Sequence, residues 1–297
     1  MDSFVNADLL TALVVDSGAC LPAAPGAGAA VTVVPMAIEI DGDSLRDGVD
    51  ITTDEFYALL DRPGPLPTSS SPSPGDYLTA FREAPAGDIL CLAIPARFST
   101  MIRSANLAAE MLREEQPARR VEVMDTGTAA GGFTLVAEAA AAACAAGLPL
   151  DRVAAYTREV AQSAQVIAAL DTMRFLVRSG RVPTLAGLGS DLLHVRPVFA
   201  FSAGDVQRLA LVRGTKRALR VVAQSLRDRV AKDISVRLAI FCGGAPTAVP
   251  ALVESLRELF GERLIERLDL TPVMALHTGP GLIGAAAVAD LPLPTHS

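Results

Sequence analysis

The chain has 297 residues and is 51% apolar, so it can bury one large core or two ordinary ones without disulfide or metal staples. A net charge of −7, with no Trp, three Tyr and ten Phe, argues against a basic nucleic-acid face and against aromatic platforms for stacked bases. The four cysteines, Cys20, Cys91, Cys144 and Cys242, are too widely spaced for a disulfide framework or a zinc cluster, and are expected to be reduced core residues. Met1-Asp2-Ser3-Phe4 lacks the basic start of a signal peptide, and the apolar run 9–15 is too short to export or span. The alanine-rich run 135–146 contains Glu138 and reads as a packed helix. The expectation is a cytoplasmic protein with no stable membrane insertion and no nucleic-acid partner.

In chain order, residues 10–15 form an apolar run ending in Asp16-Ser17-Gly18, which predicts a buried strand opening into a polar turn. Residues 31–40 predict a second strand before the turn-like Asp41-Gly42-Asp43. Thr52-Thr53-Asp54-Glu55 matches a capping box and starts a helix at Phe56-Tyr57-Ala58-Leu59-Leu60. Ser73-Pro74 suits the cap and first position of a helix running to residue 81. Residues 88–94 predict a strand, Ser99 opens an amphipathic helix to 115, and 121–124 form a strand ending at Asp125-Thr126-Gly127. Helices follow over 129–146 and 150–163. This alternation predicts an N-terminal α/β domain over 1–160, a parallel sheet with helices on both faces.

The second half differs. A strand is expected at 166–170, a short helix at 172–177 and a turn at Ser179-Gly180-Arg181. Residues 195–201 and 206–212 predict a hairpin across Ser202-Ala203-Gly204-Asp205. A helix over 215–231, a strand at 236–241, a helix at 249–259 and strands at 264–268 and 282–288 complete the pattern. They predict a C-terminal α/β domain over 161–297, with a mixed sheet covered by helices on one face. No sequence repeat at a solenoid period is present.

Chemistry-bearing motifs are few. Pro67-Thr68-Ser69-Ser70-Ser71-Pro72-Ser73-Pro74 has the composition of a solvated linker. Its prolines also make it stiff, and a stiff cluster of neutral hydroxyls suits an oxyanion such as a carboxylate; both readings stand on composition. Gly279-Pro280-Gly281-Leu282-Ile283-Gly284 matches a dinucleotide fingerprint, but only 13 residues follow it, too few for the rest of a βαβ unit. No P-loop or G-x-S-x-G elbow occurs. Of three histidines, His296 is near the C-terminus and His194 precedes a strand as a structural residue. His277 lies among glycines that permit close backbone approach and is either a satisfied turn residue or a chemical group. No histidine pair has metal-ligand spacing, so no metal is expected. Arg181 is either a cation at a helix C-terminus or one aimed into a cleft.

Taken in order, these segments resemble the DegV family of bacterial lipid-binding proteins over nearly the whole chain. The likeness runs through Val15-Asp16-Ser17, Val33-Val34-Pro35, Asp47-Gly48-Val49-Asp50-Ile51 and Glu55-Phe56-Tyr57. It continues through the Ser/Pro stretch, Asp125-Thr126, Ser179-Gly180-Arg181-Val182 and Val212-Arg213-Gly214, and closes at His277-Thr278-Gly279-Pro280-Gly281. The resemblance implies a two-domain α/β protein that holds one long-chain fatty acid in a buried apolar tunnel near the domain interface. Members similar to the FakB type are not enzymes themselves and carry no cofactor. They present the carboxylate to a separate DhaL-like fatty acid kinase subunit, which makes the acyl phosphate from ATP for phospholipid synthesis.

Residue by residue, the leading Thr of the family's Thr-Ser-Gln-Pro-Ser-Pro loop falls on Ser69, with Thr68 as the alternative if the register differs. Ser70 and Ser71 are expected to shape the loop, Ser71 standing where the family has Gln. The second carboxylate-binding hydroxyl of the family's Leu-Ser-Gly-Thr segment is Ser99, in Phe98-Ser99-Thr100-Met101; Thr100 replaces Gly, and Pro95-Ala96 replaces Ser-Ser. Arg181, His277 and Thr278 become candidates for steering the head group or phosphate. Two alternatives stand beside this: a stand-alone enzyme using His277 on a small carbonyl or phosphate substrate, for which a compact polar pocket is expected, and a lipid-sensing or storage module with no kinase.

Overall fold

A computed structural model describes residues 10–21, 31–60, 62, 65–85, 87–180, 195–244, 246–263 and 265–295. Arg181, His194 and His296 lie outside the described residues, as does the expected strand start at 264. The chain begins with β1 (Thr11–Asp16), buried at every position as a central strand requires. The expected strand over 31–40 is two strands, β2 (Val31–Val34) and β3 (Ala37–Ile40), in different sheets. Pro35 sits between them, has no N–H for a ladder and ends the first pairing. β4 (Asp43–Arg46) pairs antiparallel with β3 across Asp41-Gly42, both at positive φ.

The capping box at Thr52 forms: its backbone N–H donates to Glu55 Oε2 at 2.9 Å and its Oγ1 accepts from the Glu55 N–H at 3.3 Å. It starts α1 (Thr53–Leu60). The Ser/Pro stretch is not a linker. Its centre is β5 (Thr68–Ser70), antiparallel to β3 with Ser69 opposite Ile38, so a three-stranded sheet of order β4-β3-β5 holds the hydroxyls. Ser73 then caps α2 (Pro74–Glu83) in a second capping box with Asp76.

β6 (Asp88–Ala93), α3 (Met101–Glu115) and β7 (Val121–Asp125) follow, then α4 (Gly131–Ala145) and α5 (Leu150–Ser163). β2, β1, β6 and β7 form a parallel sheet in that order. β8 (Gln165–Ala169), α6 (Arg174–Arg178), β9 (Val195–Ser202) and β10 (Asp205–Arg213) come next, the hairpin turning at Ala203-Gly204 with both φ positive. α7 (Thr215–Arg229), β11 (Val236–Gly243), α8 (Val249–Phe260), β12 (Ile265–Asp269), α9 (Pro272–Thr278) and β13 (Leu282–Ala289) complete the chain. The second sheet is mixed, with order β10-β9-β8-β13-β11-β12, and only β11 and β12 are parallel.

This is the expected two-domain α/β fold, with helices on both faces of the parallel sheet and a mixed sheet covered by helices; the cover of the mixed sheet differs in one respect. α2 and α3 cover one face of the parallel sheet, and α7 and α8 cover one face of the mixed sheet. α4 and α5 lie between the sheets and pack on both, so the mixed sheet is covered on both faces and not on one. The largest core cluster joins Leu13 and Leu92 of the first sheet to Phe241 and Val288 of the second through α4. The other departure is α9, in a stretch for which no element was expected. It lies next to the last strand in sequence, yet Val273 and Ala275 are buried in the core of the N-terminal half.

Candidate functional site

Three segments meet where the N-terminal core receives α9. β5 alternates, so Ser69 faces away from Thr68 and Ser70, which are exposed. Ser69 Oγ lies 3.0 Å from His277 Nε2 on the last turn of α9. The third segment is the β6–α3 loop, where Ser99 Oγ lies 2.9 Å from Ser71 Oγ, and Thr100 Oγ1 donates to Ser71 Oγ at 3.3 Å. Helix α3 begins at Met101, two residues beyond Ser99, and the Met101 N–H donates to Ser99 Oγ at 3.2 Å.

Ser69, Ser71, Ser99 and His277 line a cavity of about 180 Å³. Most of its remaining lining is apolar and comes from both halves of the chain, including Ile94, Leu176 and Met274, with Val166, Phe199 and Phe241 from the second sheet. Phe98, on the β6–α3 loop, and Phe201, on β9, lie 5.2 Å apart between ring centres and form one wall. Its size exceeds the apolar cavities of ~150 Å³ that stay dry and take a benzene-sized guest. A smaller cavity of about 90 Å³ shares Ser69, Ser179 and His277 with it and is bordered on the far side by Thr68, Phe175 and Arg178.

The predicted residues therefore separate clearly. Ser69, Ser99, His277 and Thr278 all line the large cavity, whereas Thr68 borders only the small one. Thr278 donates its hydroxyl to the Met274 carbonyl at 2.8 Å, so that proton is turned back onto its own helix. Ser71, expected only to shape the loop, is bonded to Ser99 and lines the cavity.

Two buried carboxylates behind the site were missed by sequence reasoning. Asp47 accepts the Val273 N–H at 2.9 Å and so fastens the start of α9, the helix that carries His277. Burial pushes its carboxyl up to about 6, with the nearby Ser17 hydroxyl, the Val273 N–H and the Thr271 hydroxyl pulling the other way. Asp16 is fully buried and accepts from the Gly18 and Ile94 N–H groups at 2.8 and 3.0 Å. Burial pushes it up to about 7. Both stand in segments of the family resemblance, Val15-Asp16-Ser17 and Asp47-Gly48-Val49-Asp50-Ile51, but neither was assigned a place behind the site. Among the described residues no group of three or more His, Cys, Asp or Glu is placed to hold a metal, and all four cysteines are buried thiols.

A sequence profile described as an uncharacterised protein, DegV family, matches residues 11–290. The chain belongs to the DegV family. A DegV domain-containing protein of Streptomyces coelicolor is 30% identical over 277 residues, 92% of this chain and 96% of that protein. One from Deinococcus radiodurans is 28% identical, over 93% of this chain and 97% of its own. Among solved structures, a DegV family protein from Thermus thermophilus, described for its fatty acid binding, is 30% identical, with a TM-score of 0.84 over 94% of this chain and 99% of that one. The fatty acid kinase B3 protein of Streptococcus pneumoniae, loaded with linoleic acid, shares the fold at 23% identity, with a TM-score of 0.85 over 95% of this chain and 100% of its own. No helix among the described residues is long and apolar enough to cross a membrane.

Proposed function

We propose that this DegV protein binds one long-chain fatty acid, its tail in the cavity between the sheets and its carboxylate among Ser69, Ser99 and His277. The observation that carries this reading is the lining of the cavity, mostly apolar with the Ser69–His277 and Ser71–Ser99 pairs on its wall. Burying about 14 methylenes at ~0.8 kcal/mol each contributes on the order of 11 kcal/mol before ordering and desolvation costs. Affinity then comes from the tail, and the polar groups have only to orient the head group. Neutral hydroxyls can hold a carboxylate while leaving one of its oxygens available to react.

In this reading the protein is a substrate-presenting subunit and not a catalyst. A separate DhaL-like kinase would transfer phosphate from ATP to the exposed carboxylate oxygen, with Arg181, His277 and Thr278 steering the head group. The apolar walls disfavour the small-substrate enzyme reading, which called for a compact polar pocket. The test is to extract lipid from the purified protein for mass spectrometry, delipidate it, and titrate it with hexadecanoate. A protein that carries no fatty acid and takes up none after delipidation overturns the proposal. Hydroxylamine trapping of acyl phosphate, with kinase and ATP added, separates presentation from storage: no hydroxamate from a loaded protein favours the storage module.

A further inference from the structure

Ser71 and Thr100 were not expected to take part in ligand binding, yet they are joined to Ser99 in one chain of hydroxyls beside the cavity. Thr100 Oγ1 donates to Ser71 Oγ at 3.3 Å, Ser71 and Ser99 are 2.9 Å apart, and Ser99 Oγ accepts the Met101 N–H at 3.2 Å. Both serine side chains belong to residues that line the cavity.

The protons can be counted. Each serine oxygen has one proton and two acceptor lone pairs. If Ser71 donates to Ser99, Ser99 accepts from Ser71 and from Met101, so both its lone pairs are filled and its own proton is free. If Ser99 donates to Ser71, Ser71 accepts from Ser99 and Thr100, and the proton of Ser71 is free. Either arrangement leaves one undirected O–H and one unfilled lone pair between the two oxygens. Rotating the two hydroxyls moves the free proton from one oxygen to the other without breaking the chain.

We propose that Ser71 and Ser99 form an interchangeable donor pair for the ligand carboxylate, and that Thr100 is the positioning residue that keeps Ser71 turned toward donation. This rests on the fatty-acid reading of the site and adds two residues to it, one on each side of the cleft between β5 and α3. The Thr100 methyl and hydroxyl stand where a glycine would supply neither, so the departure at 100 and the departure at 71 act as one unit.

The test uses delipidated full-length protein and hexadecanoate carrying carbon-13 at its carboxyl. In the wild type the bound carboxyl is expected to titrate below its value in Ser71→Ala/Ser99→Ala, followed by carbon-13 shift between about pH 4 and 8. Hexadecanoate affinity is expected to fall about tenfold in that double variant and to stay within about threefold of wild type in each single variant, where the remaining serine keeps one free proton. Adding Thr100→Val to Ser99→Ala is expected to weaken binding further, and adding Thr100→Ser is not. The methyl ester, which has no charged oxygen, is expected to change less than the acid in the double variant. Wild-type titration and affinity in Ser71→Ala/Ser99→Ala, or a full loss in one single variant with none in the other, overturn the donor pair while leaving the fatty-acid reading intact. Failure of the wild type to bind hexadecanoate at all overturns both.

Discussion

Replacing Asp47 by Asn tests whether a buried charge fastens α9 and at what cost. The Asp47 Oδ1 atom accepts the Val273 N–H, and its Oδ2 is a buried atom with no hydrogen-bond partner among the described residues. An asparagine keeps the first bond through its own Oδ1 and replaces the unpartnered oxygen with an amide. Because burial raises the Asp47 carboxyl from 3.8 to about 6, its proton is held more tightly in the fold than in the unfolded chain. Its contribution to stability is therefore present in full below pH 3.8 and is lost as the pH rises through about 6. That difference corresponds to about 3 kcal/mol against the ionised form.

The variant escapes this penalty but leaves a buried amide N–H in need of an acceptor, at about 1–3 kcal/mol. At low pH Asp47→Asn is thus expected to be less stable than the wild type, and near pH 8 equal or more stable. The swing in its favour should be about 3 kcal/mol over that range. Removing the Asp47 charge also relieves Asp16, whose carboxyl it helps to raise, and this acts in the same direction. Urea unfolding of both proteins at a series of pH values measures the difference directly, with the titrations of distant groups cancelling. A stability difference that stays flat within about 1 kcal/mol would refute the account of Asp47 as a buried, destabilised carboxylate. Asp47→Ala, which strands the Val273 N–H, should lose about 1–3 kcal/mol even where the carboxyl is protonated.

Other substitutions probe separate parts of the argument. Gly279→Ala places a Cβ 2.2 Å from the Phe175 ring at a residue with φ of +74°, and a loss of at least about 2 kcal/mol in thermal unfolding is expected. Ala168→Phe on β8 puts a ring into the cavity proposed for the acyl tail; if it excludes about four methylenes, hexadecanoate binding should weaken by about 100-fold while the melting temperature moves little. Arg237, on β11, joins Glu138 of α4 to Glu266 of β12, and burial together with the Glu266 charge already pushes Glu138 up to about 7. Arg237→Leu leaves these half-buried carboxylates facing each other, and the expected loss of about 1–3 kcal/mol at pH 8 should shrink as the pH falls to about 7 and below, where Glu138 takes a proton. A loss independent of pH would point to packing of the arginine stem instead.

The alternation of strand and helix was legible because burial wrote it directly: β1 is apolar between Thr11 and Asp16, and the caps at Thr52 and Ser73 are local signals. Ser69, Ser99 and His277 were legible only through the resemblance, since 208 residues separate Ser69 from the histidine that touches it. α9 was hidden because Pro272 and the glycines at 279 and 281 crowd a seven-residue helix with turn signals. The second strand was overextended because Pro35 was weighed less than the apolar run around it. The pairing of Ser71 with Ser99 and Thr100 leaves no local trace at all, as it depends on β5 joining β3 and bringing one hydroxylated edge against another loop. Nor could a one-dimensional pattern show that α4 serves two sheets, although its nearly uniform apolar run is what a helix buried on all sides requires.

That shared helix explains why a cavity survives there. The residues leading into it are too small to fill the space between two sheets: Ala129 and Ala130, just before the helix, border the cavity, and a Cβ on Gly131, its first residue, would come within 2.6 Å of the Phe241 ring. On the opposite side, a Cβ on Gly284 would come within 2.4 Å of the same ring, so Phe241 is held in a slot between two glycines. The chain has only ten phenylalanines, yet four of them, Phe98, Phe199, Phe201 and Phe241, line this one cavity. Elsewhere the alanine- and valine-rich interior packs by letting backbones approach, as small side chains allow. Around the cavity, rings with few rotamers act as spacers that the small residues of α4 cannot displace. On the proposed fatty-acid reading, a lining of rings with few rotamers has little freedom to lose, so the ordering cost of binding would fall mainly on the acyl chain.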